Sequence, residues 1–305
     1  MPATHAIIVV GSSNTDMVIK AKTFPIPGET ILGGEFFMFP GGKGANQAVA
    51  AARLGGRITL IAKLGDDIFG KQALKQFKEE GIQTQFIVSD NEHPTGVALI
   101  TVDAKGENTI VVAQGSNAHL SPSDVRRAQD EIKASSIVLI QLEIPLETVM
   151  AATILAHEHG KKVILNPAPA MPLPDELFRY LHILTPNRSE AEAITGVSVV
   201  DTHTASIAAE IIRKKGVPYV VITLGSEGAF IFDESGGRLI PGKKVTAIDS
   251  TAAGDIFNGA LAVALSEGKL LDDAVGFANS AAALSVTRMG AQASAPFRTE
   301  LNDFT

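Results

Sequence analysis

Short apolar runs alternate along the chain with longer segments in which apolar residues recur at helical spacing. The short runs are rich in Ile and Val, which is typical of strands buried on both faces. Strands that alternate with helices predict βα units around a mainly parallel sheet, an α/β sandwich. The predicted strands are 6–10, 58–62, 137–141, 163–166, 183–185 and 220–224, and the predicted helices are 45–54, 69–80, 123–134, 146–160, 189–195 and 205–215.

A hairpin is predicted after the last of these strands. Residues 229–232 and 238–240 form two further strand-like segments, and the polar and glycine residues 234–237 between them predict a turn. We expect this antiparallel pair to extend the sheet at one edge.

Two stretches break the alternation, because residues 17–39 and 96–112 hold strand-like segments separated by Gly, Pro and Asn turns. They predict a second, smaller sheet. The apolar run from Phe36 to Phe39 is too dense for an exposed edge, so this sheet should cover a ligand or another subunit, with an ordinary core segment as the alternative. We therefore divide the chain into an α/β domain of residues 1–13, 40–95 and 114–305 and a β-sheet lid of residues 14–39 and 96–113.

Composition and charge exclude several classes of protein. Hydrophobic residues make up 45% of the 305 residues and charged residues 19%, which excludes a chain disordered throughout. The 26 Lys and Arg against 33 Asp and Glu give a net charge of −7, and no long basic run is present, so nucleic acid and anionic lipid are not expected as partners. Without Cys, the chain has no disulfides, no thiolate zinc site and no Cys nucleophile.

The amino-terminal residues carry only a short apolar stretch, without a charged segment before it or a small-residue cleavage site after it. We therefore predict no signal peptide. No window approaches the roughly 20 apolar residues of a membrane span, so no membrane partner is expected and the cytoplasm is the expected location.

A glycine-rich segment, GGKGANQA at residues 41–48, precedes the first predicted helix after the lid segment. Small residues at a helix start let backbone N–H groups approach hydroxyls or anions. The segment is not a Walker A loop, because Gly44 follows Lys43, and it is not a dinucleotide fingerprint, because Gln47 stands where the last Gly belongs. The alternative is an ordinary turn with a surface lysine, and Asn46 favours a binding site only modestly.

A second candidate segment, DSTAAGD at residues 249–255, opens an Ala-rich helix. An Asp in this position is commonly a helix cap, which is the structural alternative for Asp255. Phosphoryl transfer needs a carboxylate to accept a proton and clustered N–H donors to stabilise charge on the transferred group. Asp255 and the amides of Ala252, Ala253 and Gly254 supply both from one turn.

These two segments together resemble the paired signatures of the ribokinase family of carbohydrate kinases. The resemblance extends over essentially the whole chain and implies a three-layer α/β/α sandwich, the ribokinase-like fold, with a small β-sheet lid. The other matching positions are Asn14, Asp16, QLE at 141–143, NPAPA at 166–170, TPN at 185–187 with Glu190, TLG at 223–225 and GAQ at 290–292.

The resemblance implies ATP-dependent phosphorylation of a primary sugar hydroxyl, with D-ribose converted to D-ribose 5-phosphate. Asp255 is then the base, and the amides of Ala252, Ala253, Gly254 and Asp255 form the anion hole. The sugar hydroxyls are implied to bind Asn14, Asp16, Gly42, Lys43, Asn46, Glu143 and Asp255. For Asp16 and Glu143 taken singly, a solvated surface charge is the alternative.

The family's nucleotide site maps onto residues around the predicted carboxyl ends of the strands. The implied ATP-binding residues are Asn187, Glu190, Thr223, Gly225, Ser226, Gly228, Gly254 and Asn279. Glu190 is implied to arrange Mg²⁺ and phosphate through water, and Mg²⁺ characteristically keeps several waters.

A monovalent cation activator, K⁺, is also implied by the resemblance. The matching positions are Asp249, Thr251, Ser285, Arg288, Gly290 and Ser294, with Thr251, Ser285, Arg288 and Gly290 offering carbonyls. The alternatives are that Asp249 simply ends a strand and that Ser294 is a loop hydroxyl.

Two positions depart from the family pattern, with Ser250 where Thr is usual and Ile256 where Thr is frequent. We expect both to be tolerated, with an altered rate as their main effect. A homodimer through the lid sheets is implied by the family. Two alternatives stay open: a kinase of the same family for 2-deoxyribose, another sugar or a nucleoside, and a non-catalytic sugar or nucleotide sensor, against which Asp255 argues.

Overall fold

The first strand explains why helices cover both faces of the main sheet. The computed structural model describes residues 6–304, and in it Ala6–Val10 forms a strand with all five residues buried. Ile7 and Val9 belong to one apolar cluster, whereas Ile8 and Val10 belong to another. Because successive side chains of a strand point to opposite faces, the two clusters lie on opposite sides of the sheet.

Thirteen strands are present in the described part of the chain. In chain order they are β1 Ala6–Val10, β2 Asn14–Lys20, β3 Glu35–Gly41, β4 Arg57–Gly65, β5 Ile87–Asp90, β6 Gly96–Val102, β7 Asn108–Ala113, β8 Ile137–Ile140, β9 Lys162–Leu165, β10 Ile183–Leu184, β11 Tyr219–Thr223, β12 Gly228–Asp233 and β13 Gly236–Pro241. They form two sheets of nine and four strands.

Helices pack on both faces of the nine-stranded sheet. They are α1 Lys43–Arg53, α2 Ile68–Glu79, α3 Pro122–Arg126, α4 Gln129–Ala134, α5 Leu146–Glu158, α6 Asp175–Phe178, α7 Arg188–Thr195, α8 Thr202–Lys214, α9 Ala253–Ser266, α10 Leu271–Ser285 and α11 Arg298–Phe304. Buried residues of α1, α9 and α10 share the cluster of Ile7, and those of α3 to α8 share the cluster of Ile8.

The nine-stranded sheet has the order β13-β12-β11-β10-β9-β8-β1-β4-β5. Its seven strands from β11 to β5 are parallel, and β12 and β13 add an antiparallel hairpin at the edge. The predicted fold class, a mainly parallel sheet between helical layers with a smaller separate sheet, is confirmed. Parallel strands align their carboxyl ends at one edge, where ligands of open α/β sheets bind.

One predicted helix is wrong, because residues 123–134 form two short helices, α3 and α4. The chain leaves helical geometry around Ala128, whose φ is −98° and ψ is 16°. Val125, Ala128 and Ile132 are nevertheless all fully buried. The helical spacing of the apolar residues therefore continues across the interruption between α3 and α4, and spacing alone does not reveal this interruption.

The other differences are smaller. The hairpin turn consists of Glu234 and Ser235 only, because Asp233 pairs directly with Gly236. The strand Ile87–Asp90 and the helix Leu271–Ser285 were not predicted from the sequence. Within residues 6–304, no helix is both long and apolar enough to cross a bilayer.

The four-stranded sheet has the order β3-β2-β6-β7, and β2 fixes its two faces. Met17 is in register with Met38 and Leu99, and Leu99 is in register with Val111, so these four side chains share one face. Asp16 lies on the other face, because side chains alternate along a strand. The sheet therefore has an apolar outer face and an inner face that carries a carboxylate.

Helices α1 and α9 approach each other closely at Gly259. A Cβ added there would lie 2.7 Å from the carbonyl oxygen of Gln47 and 3.0 Å from the Cβ of Ala50. Only a glycine fits between backbones at this distance. Because α1 and α9 begin at the two candidate segments, this contact sets the distance between them.

We predict that Gly259→Ala lowers the free energy of unfolding by about 1–3 kcal/mol, because the added methyl group overpacks the contact between α1 and α9. Gly276→Ala is the matched control in α10, where a Cβ would meet only Ile240, at 3.9 Å. The control should gain about 0.5–1 kcal/mol from helix propensity. Urea unfolding measures both, and equal stabilisation of the two variants would contradict the packing argument.

Candidate active site

The glycine-rich segment places the start of α1 against the inner face of the small sheet. Gly42 has a left-handed backbone with φ of 89°, and a Cβ there would lie 2.6 Å from the amide nitrogen of Asn14. Any other residue at Gly42 would push these backbones apart. The turn therefore brings Lys43 and Asn46 to the same place as Asn14 and Asp16.

Glu143 is held beside this turn by hydrogen bonds to its carboxylate. The hydroxyl of Ser12 donates to Oε2 at 2.5 Å, and the backbone N–H of Lys43 donates to the same oxygen at 2.9 Å. Asn14 is held from the other side, since Asn117 Nδ2 donates to its Oδ1 at 2.7 Å. These polar side chains are therefore fixed before any ligand binds, as a selective hydroxyl site requires.

Several carboxylates surround Lys43. Burial raises the pKa of Asp16 to about 6, and the nearby charges of Glu143 and Asp255 add to this effect while Lys43 opposes it. Burial disfavours the charged form of Lys43, but Asp255, Glu143, Glu190 and Asp16 outweigh it and hold the pKa of Lys43 above its ordinary value. The site is an acidic cluster with Lys43 at its centre, and its carboxylates suit hydroxyl donors as ligands.

Helix α9 begins with strained backbone. Ala252, its N-cap, has φ of 60° and ψ of 11°, and it is the one non-glycine residue with positive φ in the described part of the chain. A left-handed L-residue costs about 1–2 kcal/mol, and such strain concentrates at functional sites.

The N–H groups of this first turn differ in their hydrogen bonds. The N–H of Ala253 donates to the carbonyl of Ser250 at 3.2 Å. Among the described residues, the N–H groups of Gly254 and Asp255 have no acceptor, as is usual for a first helical turn. The turn therefore presents these two donors to an anion, while Ala253 is already engaged locally.

Asp255 lies in the first turn but does not cap the helix, so the helix-cap alternative is wrong. Its Oδ2 accepts from Asn46 Nδ2 at 2.9 Å and its Oδ1 accepts from Gln47 Nε2 at 3.0 Å. Burial raises the pKa of Asp255, while Lys43 and the two amide donors oppose the rise. Two side chains of α1 thus orient a buried carboxylate at the start of α9.

Two cavities meet beside Asp255. A cavity of about 190 Å³ is lined by Lys43, Asp255 and Asn187, and a larger one of about 550 Å³ extends from it toward α10 and the segment that follows β13. Residues shared by both linings are Thr223, Ser250, Ala253 and Gly254. The start of α9 therefore stands between a small polar chamber and a large chamber.

The predicted nucleotide residues divide between the two cavities. Asn187 and Glu190 line the small one and form a capping box at the start of α7, in which Asn187 Nδ2 donates to Glu190 Oε1 at 2.8 Å. Asn279 donates to the carbonyl of Ile240 at 3.0 Å. The residues that line the large cavity are Thr223, Gly225, Ser226, Gly228, Gly254 and Asn279.

The six predicted cation residues are only partly joined in the structure. Asp249 Oδ2 accepts from the N–H of Gly290 at 2.8 Å, and its Oδ1 accepts from the hydroxyl of Thr251 at 2.6 Å. Burial opposes ionisation, but these donors hold the pKa of Asp249 below its usual range. The hydroxyls of Ser285 and Ser294 donate to local carbonyls, and the guanidinium of Arg288 pairs with Glu300.

Three site residues escaped the sequence analysis as functional candidates: Gln47, Gln141 and Asn166. Gln47 served only to exclude a dinucleotide motif, yet it donates to Asp255 and also to Asn166 Oδ1, at 3.1 Å. Gln141 Nε2 donates to Gln47 Oε1 at 2.6 Å. The available signal was the amide side chains of Gln141 and Asn166 at the ends of predicted apolar strands, where polar residues are otherwise unfavourable in a core.

A buried carboxylate thus lies beside a helix start, between a small polar cavity and a larger, mostly apolar one. The chain belongs to the pfkB family of carbohydrate kinases, whose family model matches residues 4–298. It is 47% identical to a ribokinase of Haemophilus influenzae over 98% of this chain and 97% of that protein. The resemblance to the ribokinase family is thus confirmed.

Solved structures agree. A ribokinase crystal structure from Thermotoga maritima has a TM-score of 0.90 and 40% identity, covering 98% of both chains. The structure of a ribokinase from Arabidopsis thaliana complexed with ribose and ATP has a TM-score of 0.91 and 31% identity, covering 98% of this chain and 97% of that one.

We predict that Asp16→Asn changes the pH dependence of stability. The pKa of Asp16 is raised in the folded state to about 6, so its contribution to stability is full below pH 4 and lost as the pH rises through about 6. The variant lacks this loss and should be more stable than the parent at pH 7.5 by about 1–3 kcal/mol, but equal to it at pH 4.

Urea unfolding from pH 4 to 7.5 measures the difference between the two proteins, in which the titrations of groups distant from Asp16 cancel. Asp130→Asn, at an exposed position in α4, is the control and should show no such trend. A constant difference for Asp16→Asn across this range would contradict the raised pKa.

Proposed function

We propose that the protein is a ribokinase, which transfers the γ-phosphoryl group of ATP to the primary hydroxyl of D-ribose. The observation that carries the proposal is the position of Asp255 and the start of α9 where the two cavities meet. The full-length similarity to ribokinases supports the choice of sugar and nucleotide.

The sugar is placed between the inner face of the small sheet and Asp255, next to the part of the small cavity that Lys43 lines. The carboxylates of Asp16 and Glu143 accept hydrogen bonds from ring hydroxyls. The side-chain amides of Asn14 and Asn46, together with Gly42 and Lys43, bind the other sugar hydroxyls. Because Glu143 and Asn14 are already fixed by hydrogen bonds to Ser12, Lys43 and Asn117, the sugar is oriented without reorganising the site.

Asp255 takes the proton of the primary hydroxyl as that oxygen attacks the γ-phosphorus. The new oxygen–phosphorus bond forms as the bond to the β–γ bridging oxygen breaks, and ADP leaves with the electron pair. Charge on the transferred group is stabilised by the free N–H groups of Gly254 and Asp255 and by Lys43. Catalysis then rests on orientation and electrostatics.

ATP occupies the large chamber in this proposal. Its base and ribose lie among Thr223, Gly225, Ser226, Gly228 and Asn279, and its phosphates point toward Gly254. The lining is mostly apolar with few polar groups, as nucleotide-sized pockets usually are.

Mg²⁺ fits the phosphate end of the site. Burial raises the pKa of Glu190 and Asp255 adds to this, despite the opposing Asn187 amide and Lys43, so a bound cation would favour the ionised carboxylate. No cluster of three or more His, Asp or Glu suited to a metal occurs among residues 6–304, which fits an ion held mainly by phosphate and water. When bound, Mg²⁺ neutralises charge on the phosphates.

K⁺ fits the segment around Asp249. The ionised carboxylate of Asp249 accepts hydrogen bonds from the backbone N–H groups of Thr251 and Gly290, and this carboxylate with the carbonyls of Thr251 and Gly290 supplies hard oxygen ligands next to the start of α9. Carbonyls of Ser285 and Arg288 and the loop at Ser294 complete the proposed set.

We predict that the protein forms ADP from Mg·ATP faster with D-ribose than with 2-deoxyribose or any hexose, and several-fold faster in K⁺ than in Na⁺. Asp255→Asn should lower kcat by at least about 10²-fold, because general base and charge placement are lost together. Sugar binding should remain measurable by calorimetry.

A coupled assay of ADP formation measures these rates. Turnover of another sugar but not ribose would reject the proposed substrate and keep the class of enzyme. Undiminished turnover by Asp255→Asn would reject the base, and binding of ribose without any turnover would favour a sensor.

We further propose that the small sheet is a lid over the sugar and joins two copies of the chain. Its inner face carries Asp16, and its outer face exposes Phe36 (58%), Leu99 (56%) and Val111 (68%). An apolar sheet face of this kind is a typical interaction surface, and a second copy offers the same face in return.

We predict that the protein is a dimer in solution and that Leu99→Glu with Val111→Glu makes it a monomer, because both charges would be buried in the contact. Light scattering coupled to size-exclusion chromatography measures the mass. Leu270→Glu, an exposed apolar position at the start of α10, is the control and should stay dimeric. A monomeric parent protein would contradict the proposal.

A further inference from the structure

A chain of buried amides leads from the core to Asp255. Gln141 Nε2 donates to Gln47 Oε1 at 2.6 Å, and Gln47 Nε2 donates to Asp255 Oδ1 at 3.0 Å and to Asn166 Oδ1 at 3.1 Å. Gln47 and Gln141 have no exposed surface, and Asn166 and Asp255 are 6% and 5% exposed. Every polar atom of Gln47 is therefore used.

The direction of these hydrogen bonds is fixed by Asp255, where they end. An ionised carboxylate only accepts hydrogen bonds, so Gln47 must present its NH₂ group to Asp255 and turn its carbonyl toward Gln141. Gln141 must then present its own NH₂ group to that carbonyl. Gln141 thus prevents Gln47 from turning over and placing a carbonyl oxygen against the carboxylate.

The orientation of Gln141 leaves its own carbonyl unsatisfied. Gln141 Oε1 is buried and has no hydrogen-bond partner in the described part of the chain. A buried orphan acceptor is destabilising, and each one in a folded protein calls for an explanation. In this orientation the NH₂ group of Gln141 donates to the carbonyl of Gln47, and this hydrogen bond fixes Gln47.

We propose that Gln47, held in one orientation by Gln141, is a positioning residue that aims the Asp255 carboxylate and favours its ionised form. The two amides act through Asp255 and touch neither the sugar nor the nucleotide. This inference rests on the proposed role of Asp255 as the base.

The charges around Asp255 do not make this contact redundant. The groups that face it are Lys43 of α1, Asp16 of β2, Glu143 after β8 and Glu190 of α7. Burial raises the pKa of Asp255 and Glu143 adds to this, whereas Lys43 and the amide donors lower it, and Asp255 in turn raises the pKa of Asp16 and Glu190. Removal of one amide donor therefore shifts the balance toward the protonated, inactive carboxyl group.

The test compares Gln47→Met, Gln141→Met and the double variant, since Met keeps the length of Gln without its hydrogen bonds. Misplacement of a catalytic group by about 1 Å lowers turnover by about 10²-fold, so Gln47→Met should lower kcat by about 30- to 100-fold and Gln141→Met by about tenfold. KM for the sugar should change by less than about threefold. The acidic limb of the kcat profile should move to higher pH in both.

The double variant separates a relay from two independent effects. Because Gln141 acts only through Gln47, the double variant should be no slower than Gln47→Met. Multiplied effects, or a kcat unchanged in Gln47→Met, would overturn the proposal. Thr153→Val is the matched control, since Thr153 also buries a polar atom without a partner but lies in α5, outside the network, and it should keep wild-type kinetics.

A second readout does not require turnover. The carboxyl ¹³C signal of Asp255, assigned by its loss in Asp255→Asn, should titrate at higher pH in Gln47→Met and, by a smaller amount, in Gln141→Met. An unshifted titration would overturn the proposal, even if the protein phosphorylates no sugar. Inactivity of the parent on every sugar, with shifted titrations, would reject the proposed function and keep the network.

Discussion

The structure depends on keeping one carboxylate, Asp255, buried and correctly oriented. An isolated carboxylate would protonate or destabilise such a site, so donors must converge on it from elsewhere in the chain. Asn46 and Gln47 supply them from α1, and this requires α1 and α9 to approach as closely as Gly259 allows. The orientation and ionisation of Asp255 therefore depend on how closely α1 and α9 pack.

The parallel sheet brings the segments that surround Asp255, which are distant in sequence, to one edge. Asn14 follows β1, Glu143 follows β8, Asn166 follows β9 and Asn187 follows β10, so segments far apart in sequence meet at the carboxyl ends of neighbouring strands. The helix starts at Lys43, Arg188 and Ala253 lie at the same edge, and the free N–H groups of Gly254 and Asp255 favour anions there. The fold thus gathers carboxylates and amide donors without long loops.

Most of the fold could be predicted from the sequence, and less of the site. Apolar runs such as 6–10 and 137–141 predicted strands within a residue of their observed ends, because strands buried on both faces have a strong local signal. The break near Ala128 could not be predicted, since buried spacing continues across it. Local pattern also carries no sign of the bond between Gln141 and Gln47, 94 residues apart, or of the left-handed backbone at Ala252.

The alternation along β2 has an evolutionary consequence. Asp16 and Met17 are neighbours in sequence but lie on opposite faces of the small sheet. Point substitutions at even and odd positions therefore let the inner face and the outer face diverge separately within a lineage. Insertion or deletion of a single residue in β2 exchanges the two faces at once, so length in this strand is constrained far more tightly than composition.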